Sequence, residues 1–327
     1  MKFEDILKAT QKELFSKLNT MYKGNTTICR GNYILVRGEA PIMLLAHLDT
    51  VHKSPVRTIC KNADGSILMS PQGIGGDDRC GVYTLVTVYE KAKVKPWLLF
   101  TCDEEVGGKG AYKFADMYGK NKLPKELDDL KILVEIDRKG KNDAVYYDCE
   151  NPEFEAYISS KGFRTEWGSF SDISVVAPEL GVAAVNLSSG YYNAHSLHEY
   201  INKKQLDVVI RKVTEIVADA VKPDFPKYEY VESRGWGGYG RWSRGIQWGY
   251  NAIETADGKI LTETEFLRTV PEDIRDDYEA LLDYYTIGEL EDYRIANGDQ
   301  IIPLLCETEL GFSSRGEKTT GGGRGRW

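Results

Sequence analysis

The sequence predicts an α/β fold, a three-layer sandwich with a mostly parallel central sheet. The first observation is that short apolar runs, each the length of one strand, alternate along the chain with stretches at helical spacing. The second is that these runs are apolar at successive positions, which is typical of parallel strands buried on both faces. Strands and helices in alternation form a parallel sheet covered by helices. The predicted strands are Pro41–His47, Trp97–Cys102, Ile132–Asp137 and Val182–Leu187.

The predicted helices lie before, between and after these strands. A first helix is predicted from Phe3 to Tyr22, where apolar residues recur three to four positions apart. The other predicted helices are Cys80–Ala92, Gly110–Tyr118, Glu153–Lys161 and Lys203–Val221.

Composition divides the chain into four predicted parts. Residues 1–225 form the α/β domain. Residues 226–250 are rich in Gly, Arg and aromatic residues without regular periodicity, which is typical of a linker or irregular loop. Residues 251–313 form a small acidic extension of mixed or helical structure, with a helix over Thr269–Tyr285 that Thr269 caps. Residues 314–327 are a predicted disordered tail.

Bulk charge argues against a polyanionic partner. The formal net charge of −8 does not favour binding to nucleic acid or to an anionic membrane. No run of about 18 apolar residues exists that would span a membrane, and the first residues lack the apolar core of a signal peptide. The six cysteines form no CxxC pair, so we expect reduced thiols and a cytoplasmic location.

Polar residues follow the predicted strands at the point where each strand ends. In parallel sheets, ligand sites lie beyond the carboxyl ends of the strands. His47 ends the first strand, an acidic run at 103–105 follows the second, and Asp137 ends the third. The fourth strand leads through a short segment to His195. We therefore expect these side chains to meet at one edge of the sheet.

A glycine-rich segment, GIGGDDRCGV at residues 73–82, brings a further acid to this edge. Its glycines allow a tight turn into the following helix, which places Asp77 in the site. Two adjacent acids, Asp77 and Asp78, need compensating positive charge when both are buried, and divalent cations supply it. Asp49 lies two positions after His47, on the same side of an extended chain, and is expected to orient the imidazole.

Each of these residues alone is as well explained by an ordinary surface loop or strand end. That explanation does not account for all of them together, because all four histidines of the chain fall in or just after two of these segments. Nitrogen and oxygen donors suit Zn²⁺, with Co²⁺ or Mn²⁺ as alternatives. The candidate ligands are His47, Asp77, Glu105, Asp137 and His195.

Taken in order along the chain, these motifs resemble those of a known family. The ordered segments HLDTV, GGDDRCG, CDEEVGGKGA, EID and NAHSLHEYI resemble those of the co-catalytic zinc exopeptidases. The GGDD and DEE forms look most like the branch that holds tripeptidases, glutamate carboxypeptidases and aminoacylases. The resemblance covers about residues 42–201.

The resemblance implies a role for each ligand. His47 and Asp137 would bind one metal ion, Glu105 and His195 the other, and Asp77 would bridge the two. In such enzymes the peptide corresponding to Asp77–Asp78 is often cis. Asp49 would support His47, and Glu104 would be the general base that takes a proton from the attacking water and passes it to the leaving amine.

The chain also departs from the family. Enzymes of this branch usually carry a lid or dimerisation domain between the Asp ligand and the last His ligand, but only 58 positions separate Asp137 from His195. The lid normally supplies a histidine that stabilises the oxyanion. Tyr191 or Tyr192 is a candidate replacement here, with plain packing as the alternative. Without the lid the usual dimer surface is missing, so the oligomeric state stays open.

Three further residues are expected near the site but not as ligands. Asp172 belongs to a Ser-Asp segment that resembles one of the family and is expected to line the pocket or support a ligand, as is Asp78. His198 is expected to open the helix after the site, with a third-ligand role as the alternative.

These expectations lead to a metal-dependent hydrolase of an amide bond in a small peptide, as an aminopeptidase or a di- or tripeptidase. An N-acyl amino acid deacylase with the same centre is one alternative. A non-catalytic binding or structural protein on a peptidase core is another. For residues 226–250 three interpretations stay open: a linker packed on the core, a partner-binding segment, or a replacement for the lid.

Overall fold

The computed structural model describes residues 1–168, 170–232, 252–254, 260–262, 266–281, 290, 294 and 298–310. The chain divides into two compact units, residues 1–233 and 234–327. Most of the predicted linker and the whole predicted tail fall outside the described residues, so those interpretations stay predictions.

The first unit is built on an eight-stranded sheet with the order β1-β2-β6-β3-β7-β10-β8-β9. β3, β6, β7 and β10 are mutually parallel along this order, whereas β1, β2 and β8 add antiparallel pairings. The strands are β1 (Thr26–Cys29), β2 (Tyr33–Val36), β3 (Ile42–His47), β6 (Trp97–Thr101), β7 (Ile132–Arg138), β8 (Asp143–Val145), β9 (Arg164–Thr165) and β10 (Ala184–Ser188).

Helices cover both faces of this sheet. Side chains of β3 alternate between two hydrophobic cores, with Leu44 and Ala46 in one and Met43 and Leu45 in the other. The first core also holds α1, α2, α3, α5 and α7, and the second holds α4, α6 and a short 3₁₀ helix at Lys125–Asp129. These helices are α1 (Phe3–Leu7), α2 (Gln11–Met21), α3 (Gly76–Lys91), α4 (Lys109–Gly119), α5 (Pro152–Ser160), α6 (Ile173–Leu180) and α7 (Lys203–Ala220). The predicted three-layer α/β fold is confirmed.

The predicted opening helix over residues 3–22 is wrong in one respect, because the structure has two helices there. Thr10 adopts an extended backbone and its hydroxyl accepts a hydrogen bond from the Glu13 amide, while the Glu13 carboxylate accepts one from the Thr10 amide. This reciprocal pair is a capping box, which starts a new helix at Gln11.

A second, four-stranded sheet lies beside the end of β10, with the order β11-β12-β5-β4. Its strands are β4 (Cys60–Lys61), β5 (Ile67–Met69), β11 (Tyr191–Tyr192) and β12 (Tyr200–Asn202). The expectation that His198 opens a helix is wrong, because β12 follows it and α7 begins only at Lys203. Asn202 caps that helix by accepting a hydrogen bond from the Gln205 amide.

The chain between Asp137 and His195 contains no additional domain in the part that the structure describes. Its elements are β8, α5, β9, α6, β10 and β11, which pair within the sheets or pack on the two cores. No helix among the described residues combines the length and apolar character needed to cross a membrane.

The second unit has its own small core. In the described part of this unit a hairpin pairs β13 (Ala252–Glu254) with β14 (Ile260–Thr262), and the helices α8 (Arg275–Leu281) and α9 (Ile301–Leu310) lie after it. The predicted helix over Thr269–Tyr285 begins later than expected, since α8 starts at Arg275. The Thr269 hydroxyl donates to the Phe266 carbonyl and does not cap α8. Residues 282–285 lie outside the described residues.

Gly110 near the start of α4 gives a test of the packing that holds the loop after β6. A β-carbon at Gly110 would lie 2.5 Å from the Asn32 carbonyl oxygen and 2.6 Å from the Cys102 amide nitrogen, both backbone atoms that cannot move aside. We expect Gly110→Ala to destabilise the protein by about 1–3 kcal/mol or more, as overpacking does. The free energy of unfolding in urea measures this.

Gly119 at the other end of the same helix is the matched control. A β-carbon there would meet the flexible end of the Glu179 side chain, at 2.6 Å. Gly119→Ala should therefore stay within about 0.5 kcal/mol of the wild type. Equal losses of stability in the two variants would contradict the close packing at Gly110.

Candidate metal centre

The candidate ligands meet because of the order of the strands. β6, β3 and β7 are neighbours in the sheet and run parallel, so their carboxyl ends lie side by side. His47 is the last residue of β3, Asp137 lies at the end of β7, and Glu105 lies in the loop after β6. His195 comes from the connection between β11 and β12, with a positive φ of 62°. The structure thus places these four residues at one edge, where sequence placed them.

Asp77 is delivered by the glycine-rich turn before α3. Gly75 has a φ of 62°, and the peptide bond between Asp77 and Asp78 is cis. Asp78 is fully buried behind Asp77, where it accepts hydrogen bonds from the amides of His47 at 3.3 Å and Gly81 at 2.9 Å. A β-carbon at Gly81 would lie 2.4 Å from the Asp78 carboxylate oxygens, so this contact requires glycine.

Asp77 lies between the two histidines and offers one oxygen to each. His47 Nε2 lies 3.1 Å from Asp77 Oδ1, and His195 Nε2 lies 3.3 Å from Asp77 Oδ2. His47 Nε2 is also 3.7 Å from Asp137 Oδ1, and His195 Nε2 is 3.2 Å from Glu105 Oε2. Three groups of potential ligand atoms, each within 4.8 Å of one another, result among the described residues: His47, Asp77 and Asp137; Asp77, Glu105 and His195; and His47, Glu104 and Glu105.

The chemistry of this cluster fits divalent cations. Burial, together with the negative charge of Asp77, raises the pKa of Asp137 to about 7. The Oε1 atom of Glu105 is buried and has no hydrogen-bond partner among the described residues. Buried carboxylates crowded together in this way need positive charge to stay ionised, and an unpartnered carboxylate oxygen beside an imidazole is free to bind it. The residues present therefore fit a metal site.

The negative charge of these carboxylates also favours the protonated form of both histidines. Burial disfavours the imidazolium, but contacts with Asp137, Asp49 and Asp77 raise the pKa of His47 well above its usual value. Hydrogen bonds with Asp77 and Glu105 raise the pKa of His195 to about 11. A cation entering the cluster would take the place of these protons, since metal-binding imidazoles must be neutral.

Asp49 connects two of the strand ends. One of its oxygens lies 3.3 Å from His47 Nδ1, the ring nitrogen that faces away from Asp77. Its carboxylate also accepts hydrogen bonds from the amides of Glu104, at 3.1 Å, and Glu105, at 3.0 Å. Asp49 therefore orients the imidazole and fixes the loop that carries both glutamates.

Glu104 belongs to the third group, with His47 and Glu105, but not to either group that includes Asp77. Its Oε2 atom lies 4.0 Å from His47 Nε2. Burial, followed by the charges of Asp172 and Asp137, raises the pKa of Glu104 well above its usual value, although His47 opposes the shift. A carboxylate with a raised pKa beside a candidate metal site is suited to accept and donate a proton.

The remaining predicted residues lie at different distances from this centre. Tyr191 is buried, and its hydroxyl lies 3.3 Å from Asp137 Oδ1, so it reaches the cluster. The Tyr192 hydroxyl instead donates to the Gln205 side chain. Asp172 is buried and accepts a hydrogen bond from the Thr101 hydroxyl, while its other oxygen has no partner among the described residues. His198 is exposed, and its amide donates to the Ser196 hydroxyl, so the structure does not bring it into the cluster.

Glu199 is a functional residue that the sequence analysis missed. Its side chain is fully buried, with Oε1 accepting from the Asp77 amide at 2.9 Å and Oε2 accepting from the Gly75 amide at 2.8 Å. His52 Nε2 lies 2.9 Å from the same Oε2. Glu199 follows His195 by four positions, so it ties the segment of one ligand to the backbone of another. The sequence showed only a histidine near one motif and an acid in another, and nothing in it indicates that the two side chains are in contact.

Comparisons with known proteins were made at the levels of sequence and of structure. No protein-family model matches the chain, and no curated protein sequence matches it. Among solved structures, the aminopeptidase PepT from Bacillus cereus ATCC 10987 superposes with a TM-score of 0.51 at 14% identity, covering 67% of this chain and 97% of that chain. A tripeptidase from Staphylococcus aureus subsp. aureus Mu50 superposes with a TM-score of 0.50 at 14% identity, covering 67% and 96%.

At this identity the likeness shows the fold. The first unit therefore has a zinc-exopeptidase-like α/β fold, related in structure to aminopeptidases and tripeptidases, and it holds a candidate metal site of His, Asp and Glu side chains.

Glu199→Ala tests the support of Asp77. Removing the carboxylate leaves two buried amides and the His52 ring without an acceptor, so we expect a loss of about 2–5 kcal/mol in the free energy of unfolding. We also expect weaker Zn²⁺ binding in equilibrium dialysis, because the Asp77 backbone is no longer held. Glu179→Ala, at an exposed position of α6, is the control and should change neither quantity. Unaltered Zn²⁺ affinity in folded Glu199→Ala would show that Asp77 is positioned without it.

Proposed function

We propose that this protein is a metal-dependent hydrolase that cleaves an amide bond of a small peptide, as an aminopeptidase or a di- or tripeptidase. The observation that carries the proposal is the arrangement of Asp77 between His47 and His195, with Glu104 4.0 Å from His47. Five side chains that would serve as ligands, with Glu104 beside them as the carboxylate for proton transfer, match what a two-metal hydrolase needs.

The ligand assignment follows the two groups of side chains that include Asp77. His47 and Asp137 would hold one divalent cation, Glu105 and His195 a second, and Asp77 would contact both. Zn²⁺ suits this mixture of nitrogen and oxygen donors best, with Co²⁺ or Mn²⁺ as alternatives. When bound, two such cations provide Lewis-acid activation of an amide carbonyl and of water.

The side chains of this protein then perform the proton transfers. Glu104 accepts a proton from the attacking water, for which its raised pKa and its place beside the cluster are suited. The same carboxyl group then donates that proton to the leaving amine. Asp49 keeps His47 in one orientation throughout and holds the Glu104 amide in place. The Tyr191 hydroxyl is the candidate donor to the developing oxyanion, because it reaches the cluster and Tyr192 does not.

An N-acyl amino acid deacylase remains the alternative, because the same proton transfers hydrolyse any amide. A non-catalytic protein on this fold is the alternative from another class. Loss of a ligand or of Glu104 would favour that second alternative, but all of them are present.

Glu104→Gln separates the hydrolase from the non-catalytic alternative. Gln keeps the size of the side chain but cannot accept the proton, so kcat for a cleaved peptide should fall by about 10²–10⁴-fold. Zn²⁺ content by mass spectrometry should stay unchanged, since Glu104 is not assigned as a ligand. Rates are measured on aminoacyl, dipeptide, tripeptide and acyl-amino-acid substrates.

Asp103→Asn is the matched control in the same acidic run. The Asp103 side chain accepts a hydrogen bond from Gln11 at 2.8 Å and Asn retains that acceptor, so activity should stay near that of the wild type. Zn²⁺-loaded wild type that hydrolyses none of these amides, or equal activity of Glu104→Gln and wild type, would rule the enzyme out.

His195→Ala tests the number of metal ions. Loss of this imidazole removes one nitrogen ligand of the second group only, so Zn²⁺ stoichiometry should fall from two to one per chain while the site at His47 is retained. Isothermal titration calorimetry of the metal-free protein measures it. His198→Ala, three positions further on, should retain a stoichiometry of two. One ion per chain in the wild type would contradict the two-metal assignment.

A further inference from the structure

A cleft of about 630 Å³ is lined by residues that closely follow Asp137 and directly precede His195 in the chain. One wall is the turn from Lys139 to Asp143, which follows Asp137 of β7. A second wall is Arg164 and Glu166 at β9. The third is Tyr192, Asn193 and Ala194, which lead into His195. The cleft therefore begins where two of the ligand-bearing segments leave the centre, and its volume is that of a small-molecule site.

Positive charge is concentrated in this cleft although the chain as a whole carries a net charge of −8. Lys139, Lys141 and Arg164 line it, against two acids, Asp143 and Glu166. In the described part of the chain, none of these three cationic side chains has a carboxylate at salt-bridge distance. These charged groups are thus free to contact a ligand.

Arg138 is a further cation next to this cleft in the sequence, since it directly precedes Lys139. It directly follows Asp137, and its guanidinium donates to the Trp167 carbonyl at 3.0 Å. Its Nε is buried and has no partner among the described residues. A buried donor without an acceptor is costly, and an anionic ligand at this point would satisfy it.

We propose that this cleft binds the carboxylate of a small anionic peptide substrate and so selects substrates in which a carboxylate lies near the scissile amide. The inference rests on the proposed function for its reaction and adds the substrate class. Lys141 and Arg164 provide the cationic contacts, and Arg138, whose buried Nε has no partner among the described residues, is the candidate further donor. The carboxylate belongs either to the C-terminus of the peptide or to an acidic side chain.

Matched substrate pairs distinguish these two sources. In one pair a tripeptide carries either a free or an amidated C-terminus, and in the other a Glu residue is replaced by Gln. We expect kcat/KM of the Zn²⁺-loaded wild type to favour the charged member of one pair by roughly 10- to 100-fold, as charge-assisted hydrogen bonds do. The pair that shows the preference identifies the source, and the preference should shrink as salt is raised. Equal kcat/KM within both pairs would overturn the proposal.

The double variant Lys141→Gln/Arg164→Gln assigns the preference to the cleft. Removing both charges should reduce the ratio of kcat/KM between charged and neutral substrates to near one. Lys125→Gln is the control, because Lys125 is exposed and lies in the 3₁₀ helix that precedes β7, at the opposite end of that strand. It should keep the wild-type ratio. A ratio that survives in the double variant would overturn the cleft as its cause.

Binding without turnover keeps this proposal separate from the proposed function. Calorimetry on Zn²⁺-loaded Glu104→Gln compares the Kd of the charged and neutral member of each pair. Tighter binding of the charged peptide that disappears with the Lys141 and Arg164 substitutions supports the cleft even if the wild type hydrolyses nothing. Hydrolysis by the wild type without any charge preference in rate or in Kd would refute the cleft and leave the hydrolase intact.

Discussion

The crowding of negative charge around Asp77 is the constraint on which the rest of the site depends. One carboxylate faces two imidazoles, and Asp137, Glu105 and Glu104 lie around them with little access to solvent. Such a group of acids is stable only with matching positive charge. Protons on the histidines supply part of it in the isolated chain, and divalent cations fit the same positions.

Backbone amides hold these acids in place from behind. Asp49 accepts from two amides of the loop after β6, Asp78 accepts from those of His47 and Gly81, and Glu199 accepts from those of Gly75 and Asp77. Apart from the contact between Asp78 and Gly81 within α3, each of these contacts joins different segments of the chain. Asp49, Asp78 and Glu199 are not assigned as ligands, but their hydrogen bonds hold the ligand-bearing segments in place. Preorganised sites are supported in this way.

Sequence predicted the sheet and the meeting of the candidate ligands at one edge, because both depend on local patterns. Apolar runs mark the strands, and His47 and Asp137 lie at the ends of two of them. It failed where contacts between distant segments decide. The split at Thr10 required the reciprocal bond with Glu13, and the start of α7 was hidden by the short strand β12. Glu199 and the cleft around Lys141 could not be found either, since their partners lie far away in the sequence.

The two histidines of the centre stand at positions 47 and 195, and the acids between them come from the start of α3, the loop after β6 and the end of β7. Side chains so far apart along the chain meet only after β3, β6, β7 and β11 have assembled, and such long-range pairing is slow. A metal ion would therefore find its full set of ligands only after the sheet and the two apolar cores have formed, unlike the ion that folds a small zinc-dependent domain.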